Sequence, residues 1–377
     1  MKKFITLLSM MAGIAPVYIT AQQQPISDVN FGDSPRPVPS VSSLATYTDA
    51  PVSLATGVPD INFPLLVLPS KDKKIAASLA LQYHPLNTNE TEAGSEVGIG
   101  WSMFVGGVIS REVVDEPDER YDDAGWSGYK KNTFNDIYYY NLPGISGKFK
   151  IERDTAANTF RVVNLTPNNI KIEYTRNSNT ATLILDSFTI TDDNGYKYVF
   201  NDYSQSRSYT HPLTSGSLFK SAFYLTQIKN ANNIELLNFT YQKENKNKPG
   251  TSEILYQSCK LKTIGSPGTG SIDIDYHYDA ALEGTMNDPY SITKVSLKNN
   301  NSVIVSQYGL VYSDGLNQGY TRKLIKINKI NLSDPAGTPL ETTKLLYTTY
   351  TFGDSSSDRS CAATPPATGV IINSLYR

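Results

Sequence analysis

Asp273 and Asp275 lie in the alternating run Ser271-Ile-Asp-Ile-Asp-Tyr276, so both carboxylates fall on one face of an expected strand. Glycoside hydrolysis needs two carboxylates about 5–10 Å apart across a cleft. A same-strand pair is ordinarily the solvated edge of a hairpin, and a pairing across distant strands is invisible in sequence. A second acidic group, Asp115, Glu116, Asp118, Glu119, Asp122 and Asp123, has the oxygen ligands that suit calcium. Its spacing does not match the twelve-residue calcium loop and Pro117 interrupts it, so a solvated loop is expected. His84, His211 and His277 are far apart in sequence, and a single histidine beside a strand is expected to be a packed or edge residue. No Gly-x-Ser-x-Gly elbow occurs. Gly98-Ile-Gly100 lacks a third glycine at Met103 and the helix a dinucleotide site needs. There is no phosphate-binding loop and no paired-cysteine metal motif; Cys259 and Cys361 are expected to stay unpaired. No catalytic residue, cofactor or metal is expected. A ligand surface is the other chemistry on offer: Trp126 with Tyr138, Tyr139 and Tyr140 has the rings to stack on a sugar, or to form an ordinary edge strand.

The bulk numbers narrow the choice. The 377 residues are 39% hydrophobic and 19% charged, enough apolar matter for a packed core. A net charge of −2 argues against general nucleic-acid binding, which needs a basic face. Twenty-five tyrosines against two tryptophans suit many half-exposed strands. Lys2–Lys3, the apolar run Phe4–Ile19 and the small-residue site before Gln22 predict a signal peptide over 1–21. The mature chain is then exported, to the periplasm, cell surface or medium, with no membrane span.

The elements that must hold such residues are strands. A proline-rich lead-in (22–43) precedes a β-rich domain over 44–220. Within it the stretch Glu92–Arg111 interleaves five glycines with Val97, Ile99, Trp101, Phe104, Val105, Val108 and Ile109. This predicts two short strands, Val97–Trp101 and Val108–Val113, bent at Gly106–Gly107, with Trp101 as a core anchor. Asn194-Gly195 between two alternating runs predicts a tight hairpin. Helical pattern is confined to a turn or two near Ser217–Ala222.

A hairpin-repeat region follows over 221–350, before a tail (351–377). The spacing Leu/Ile-x-x-Ile/Val recurs at Leu225–Ile228, Leu261–Ile264, Ile292–Val295 and Leu324–Ile327, in steps of 36, 31 and 32 residues. Each motif leads into a polar turn and an aromatic strand: Phe239/Tyr241, Tyr276/Tyr278, Tyr308/Tyr312 and Tyr347/Tyr350. Fixed-period units bury their faces on their neighbours. The fold class expected is all-β: successive antiparallel hairpins in a meander or spiral shell, with few or no helices.

The run Ala50–Pro64, the Leu79–Tyr83 strand, Val97-Gly-Ile-Gly-Trp-Ser102 and Gly106-Gly-Val-Ile-Ser-Arg111 resemble the N-terminal region of exported Rhs/YD-repeat proteins of Bacteroidetes type. Asp193–Phe200 and Tyr224–Asn230 resemble that family's later hairpins. The resemblance implies a non-catalytic β-rich shell that wraps a C-terminal cargo or toxin segment. Gly98, Gly100, Trp101, Gly106, Gly107 and Arg111 would be its structural residues. No long YD array, self-cleaving segment or toxin-like tail is present up to Arg377, so a truncated member is expected. The alternatives are a secreted carbohydrate-binding or adhesin module using Trp126 and Tyr138–Tyr140, and a glycoside hydrolase.

Overall fold

The computed structural model describes residues 61–84, 94–131, 134–157, 159–177, 183–209, 216–248, 250–283, 285, 287–313, 322–348 and 369–374. The expected signal peptide, the lead-in, His211, Tyr350 and Cys361 lie outside them. The described residues carry nineteen strands. They are β1 (Ile61–Pro69), β2 (Ala76–Tyr83), β3 (Trp101–Phe104), β4 (Val108–Glu112), β5 (Ile137–Leu142), β6 (Ile145–Asp154), β7 (Thr159–Asn164), β8 (Lys171–Arg176), β9 (Leu185–Thr191) and β10 (Lys197–Tyr209). Then come β11 (Gly216–Lys229), β12 (Glu235–Asn247), β13 (Ile254–Ser266), β14 (Gly270–Tyr278), β15 (Tyr290–Asn299), β16 (Ile304–Tyr312), β17 (Leu324–Ile330), β18 (Pro339–Thr348) and β19 (Gly369–Ser374). One short helix, α1 (Asp118–Tyr121), and a 3-10 turn at Ala280–Leu282 interrupt them.

The strands are antiparallel and form two sheets, β1-β2-β3 and a sheet of sixteen strands. From β14 to β19 the large sheet is a plain meander. Upstream, β10, β11, β12 and β13 pair in a closed circuit, because β13 meets β10 at Gln205↔Gln257 and Ser206↔Tyr256 as well as β12. Strands from both sides of residue 220 belong to this sheet, and β11 itself runs across that position. Ser217–Ala222 is therefore strand and not helix: its residues pair with β10 throughout, and that ladder overrides a weak local helical pattern.

Two-residue periodicity decides which side chains are buried. On β2, Ala77, Leu79, Leu81 and Tyr83 face inward while Ala76, Ser78 and Gln82 face out. The inward faces of both sheets contribute to one hydrophobic core. An aromatic knot holds its upstream part: Phe188 meets Phe223 edge-on at 4.8 Å, Phe149 at 5.3 Å and Tyr138 at 5.5 Å. The β9–β10 hairpin closes at Gly195 (φ +81°), and the Asp192 carboxylate accepts from the amides of Asn194 and Tyr196.

Each repeat motif opens a hairpin: β11–β12, β13–β14, β15–β16 and β17–β18. Leu225, Ile228, Ile264, Ile292, Val295, Leu324 and Ile327 are all buried. The first three hairpins share a further device. Each is zipped near its turn and parts before the first motif residue, leaving that carbonyl without a ladder partner across the hairpin. A tyrosine hydroxyl then donates to it: Tyr241 to Leu225 at 2.7 Å, Tyr276 to Leu261 at 2.9 Å and Tyr312 to Ile292 at 2.7 Å. In every case the tyrosine sits one residue beyond the position that continues the register opposite the motif residue. In the fourth hairpin that position is Tyr347.

Candidate functional site

The glycine–tryptophan stretch forms a tight turn, not the first strand expected of it. Gly98 (φ +94°) and Gly100 (φ +76°) take backbone angles incompatible with extension, so the strand begins only at Trp101. Ser95 organises the turn: its hydroxyl shares its one proton between the carbonyls of Trp101 (2.7 Å) and Gly98 (3.0 Å) and accepts from the Val97 amide. Trp101 is 2% exposed and packs on Tyr83 with ring centres 5.2 Å apart.

Three distant points of the chain, at Asp288, Ile292 and Arg322, close on this turn. The Ile99 amide donates to the Arg322 carbonyl at 2.8 Å, Asp288 to Gly94 at 2.8 Å and Ile292 to Glu96 at 2.9 Å. The buried Arg322 guanidinium donates back to the carbonyls of Ser95 (2.6 Å), Tyr290 (2.8 Å) and Asp288 (3.0 Å). A β-carbon on Gly98 would stand 2.9 Å from the Leu324 amide nitrogen, so a side chain there collides with main chain. The expected bend at Gly106–Gly107 passes the chain from β3 in the small sheet to β4 in the large one. A β-carbon would meet the Phe239 ring at Gly106 and Leu142 at Gly107.

Arg111, on β4, heads a buried ionic nest. Its guanidinium donates to Asp136 from Nε (2.9 Å) and to Glu119 through both terminal nitrogens (2.7 and 2.5 Å). Asp136 is fully buried and also accepts from the amides of Val114 and Asp118. The rings of Tyr138 and Phe219 flank the cation at 5.4 and 5.7 Å. Arg153 repeats the arrangement, bound to Asp122 at 2.6 Å among the rings of Tyr129, Phe134 and Phe160.

This overturns the solvated-loop expectation for residues 115–123. Glu116, Asp118 and Asp122 are buried. The cations that pair with this loop include Arg111 from β4 just upstream, Arg120 within it, and Arg153 from β6 further along the chain. Asp118 is the odd member. One carboxylate oxygen accepts from the Asn135 amide, and the other is buried without a partner. Burial, then the neighbouring Asp136, push its carboxyl up to about 8. Below about pH 4 folded and unfolded chains both hold this proton; between about pH 4 and 8 only the folded chain does. Stability from this group therefore declines as pH rises through that window, by at most about 1.4 kcal/mol per pH unit, and levels off above it. Denaturant titrations from about pH 5 to about pH 8 should show this decline in the wild type and a flatter profile in Asp118→Asn. Parallel profiles would show that Asp118 is ionised throughout.

The proposed ring surface is not assembled. Alternation along β5 turns Tyr138 and Tyr140 into the core, each 1% exposed, and leaves Tyr139 outside at 40%. Trp126 is half-buried, with the Arg120 guanidinium 5.0 Å over its ring and Tyr121 edge-on at 5.1 Å. Asp273 and Asp275 share a face of β14 as expected, and each pairs with a lysine: Lys298 at 2.5 Å and Lys262 at 3.5 Å. His84, just past the end of β2, and His277, on β14, are both exposed. Cys259 is buried and unpaired, and burial pushes its thiol up to about 12. Among the described residues no cluster of three or more His, Cys, Asp or Glu is placed to hold a metal. No helix among them is long and apolar enough to cross a membrane.

A cleft of about 380 Å³ opens beside the Gly94–Trp101 turn, between β12, β13 and the loop joining β14 to β15. Tyr256, Tyr278, Tyr290, Asn245, Lys260 and Asp288 are among its walls. Nothing in the sequence spacing singles it out, because its residues converge only when β13 and β14 part.

No protein family matches the chain. No curated protein matches it. Among solved structures it is similar to the N-terminal domain of effector protein SpvB from Salmonella typhimurium strain LT2. The identity is 13% and the TM-score 0.44, over 72% of this chain and 98% of that one. A likeness at that level carries no argument about function.

Proposed function

We propose that this chain is an exported, non-catalytic β scaffold of the Rhs/YD shell type, whose work in its full-length form is to enclose a cargo or toxin segment. The observation that supports the reading best is what the charged residues do. Of the buried arginines, Arg111 ties β4 to α1 and to Asp136 before β5, Arg153 ties β6 to Asp122 at the end of α1, and Arg322 ties the approach to β17 to the glycine turn, while the same-strand carboxylates Asp273 and Asp275 are held by lysines of neighbouring strands. Such an investment in cross-strand ties suits a rigid container wall. The Gly-x-Gly-Trp-Ser block that carries the resemblance is also the place where β15 and β17 are fastened to the N-terminal part.

The test is limited proteolysis of the secreted gene product isolated from the producing cell, with fragments read by mass spectrometry. The proposal expects a mature N-terminus at Gln22 and a segment outside the β region that resists protease only while that region is intact. An uncleaved Met1 in the cytosol, or associated segments digested equally with and without the β region, would refute it.

A further inference from the structure

We infer that the cleft beside the Gly94–Trp101 turn binds a short neutral glycan. The inference does not depend on the scaffold reading. A volume of about 380 Å³ lies within the usual range of small-ligand sites. The cleft is where a hairpin fails to close: the β13–β14 ladder ends at Thr263↔Asp273, and the strands part toward Tyr256 and Tyr278. Where other hairpins have tight turns, the described residues 279–283, 285 and 287–289 border the gap, and Asp288 is fixed to the glycine turn at Gly94.

The walls carry the two kinds of group that recognise a sugar. Tyr256 and Tyr278 are 44% and 43% exposed, and among the described aromatic rings only Tyr139 is comparably open. Their faces can cover the C–H face of a pyranose as aromatic rings cover other apolar surface. Tyr278 is held in place: its hydroxyl donates to Glu283, Glu283 pairs with Lys246, and its ring lies 4.9 Å from that of Tyr290. Glu244 accepts from Gln242 through one oxygen and keeps the other for a sugar hydroxyl.

Charge disfavours an anionic ligand. Both lysines on the walls are already neutralised, Lys246 by Glu283 and Lys260 by Glu96 and Asp288. Among the described wall residues no cation remains to hold an anion. The arrangement is largely pre-formed, which lowers the ordering cost of binding.

The test is calorimetric titration of the whole chain with maltose, cellobiose, lactose and N,N′-diacetylchitobiose, with choline and sulfate alongside. At least one disaccharide should bind. Tyr278→Ala should weaken that binding by about tenfold or more and Tyr256→Ala severalfold, while Trp126→Ala binds as the wild type does. Both altered cleft side chains are at least partly exposed, and an unchanged melting curve shows that each variant is folded. Binding of no disaccharide, binding of choline or sulfate in its place, or affinity unchanged in both cleft variants would overturn the assignment.

Discussion

Arg111→Met is expected to cost about 3–5 kcal/mol of stability, because it leaves carboxylates in a dry interior with no cation. Asp136 is fully buried and its Oδ2 receives Arg111 from two nitrogens, one of them at 2.5 Å. Two amide hydrogen bonds remain to Asp136 in the variant, but they cannot balance a full charge. Desolvation of the pair sets a second, sharper expectation. A buried ion pair is often no more stable than an apolar pair of similar volume, so Arg111→Met combined with Asp136→Leu should recover much of the loss. Chemical denaturation of the two variants measures both quantities. A single variant within about 1 kcal/mol of the wild type would mean that water or a rearranged partner reaches Asp136. A double variant no better than the single one would place the cost in Glu119 or in lost packing on Tyr138.

Trp101→Ala is expected to cost a similar amount, about 3–5 kcal/mol, for a different reason. The indole is 2% exposed, rests on Tyr83, and belongs to the one core that both sheets share. Its removal leaves a cavity that the flanking main chain cannot collapse into. That chain is held by Ser95, whose hydroxyl bonds to the Trp101 carbonyl, and by Gly98 wedged against Leu324. Thermal melting measures the loss, and an unchanged midpoint would contradict it.

How much of the molecule is legible in its sequence depends on the range of the interaction. The strands are, because the alternation in Ala77-Ser-Leu-Ala-Leu-Gln-Tyr83 and the Asn194-Gly195 turn are local signals. The hairpin repeat is, because Leu225, Leu261, Ile292 and Leu324 each fall in the first strand of a successive hairpin. The role of Gly98 is legible only in kind: glycine announces a close approach, and nothing in Val97–Ser102 says that the approaching chain is Arg322–Leu324. The acidic loop misleads for the same reason. A run of carboxylates looks solvated until the cations arrive, and Arg111 and Arg153 arrive from other strands. Tyr138–Tyr140 shows the opposite error, in which residue type is weighed above the strand period that sends alternate rings into the core. The tyrosine staples do leave a trace, a tyrosine 16, 15 and 20 residues after three of the motif starts. The varying spacing hides it until the register is known.

Hydrogen exchange on Trp101→Ala, read at the amides of Ile99, Asp288 and Ile292, tests the core of this account. Those three amides bond across the turn to chain about 190–220 residues away in sequence. If the glycine–tryptophan turn fastens the later hairpins, all three should lose protection together under conditions where the β8–β9 ladder keeps its own. Loss confined to Ile99, with Asp288 and Ile292 protected as in the wild type, would show that the hairpins stand without the turn.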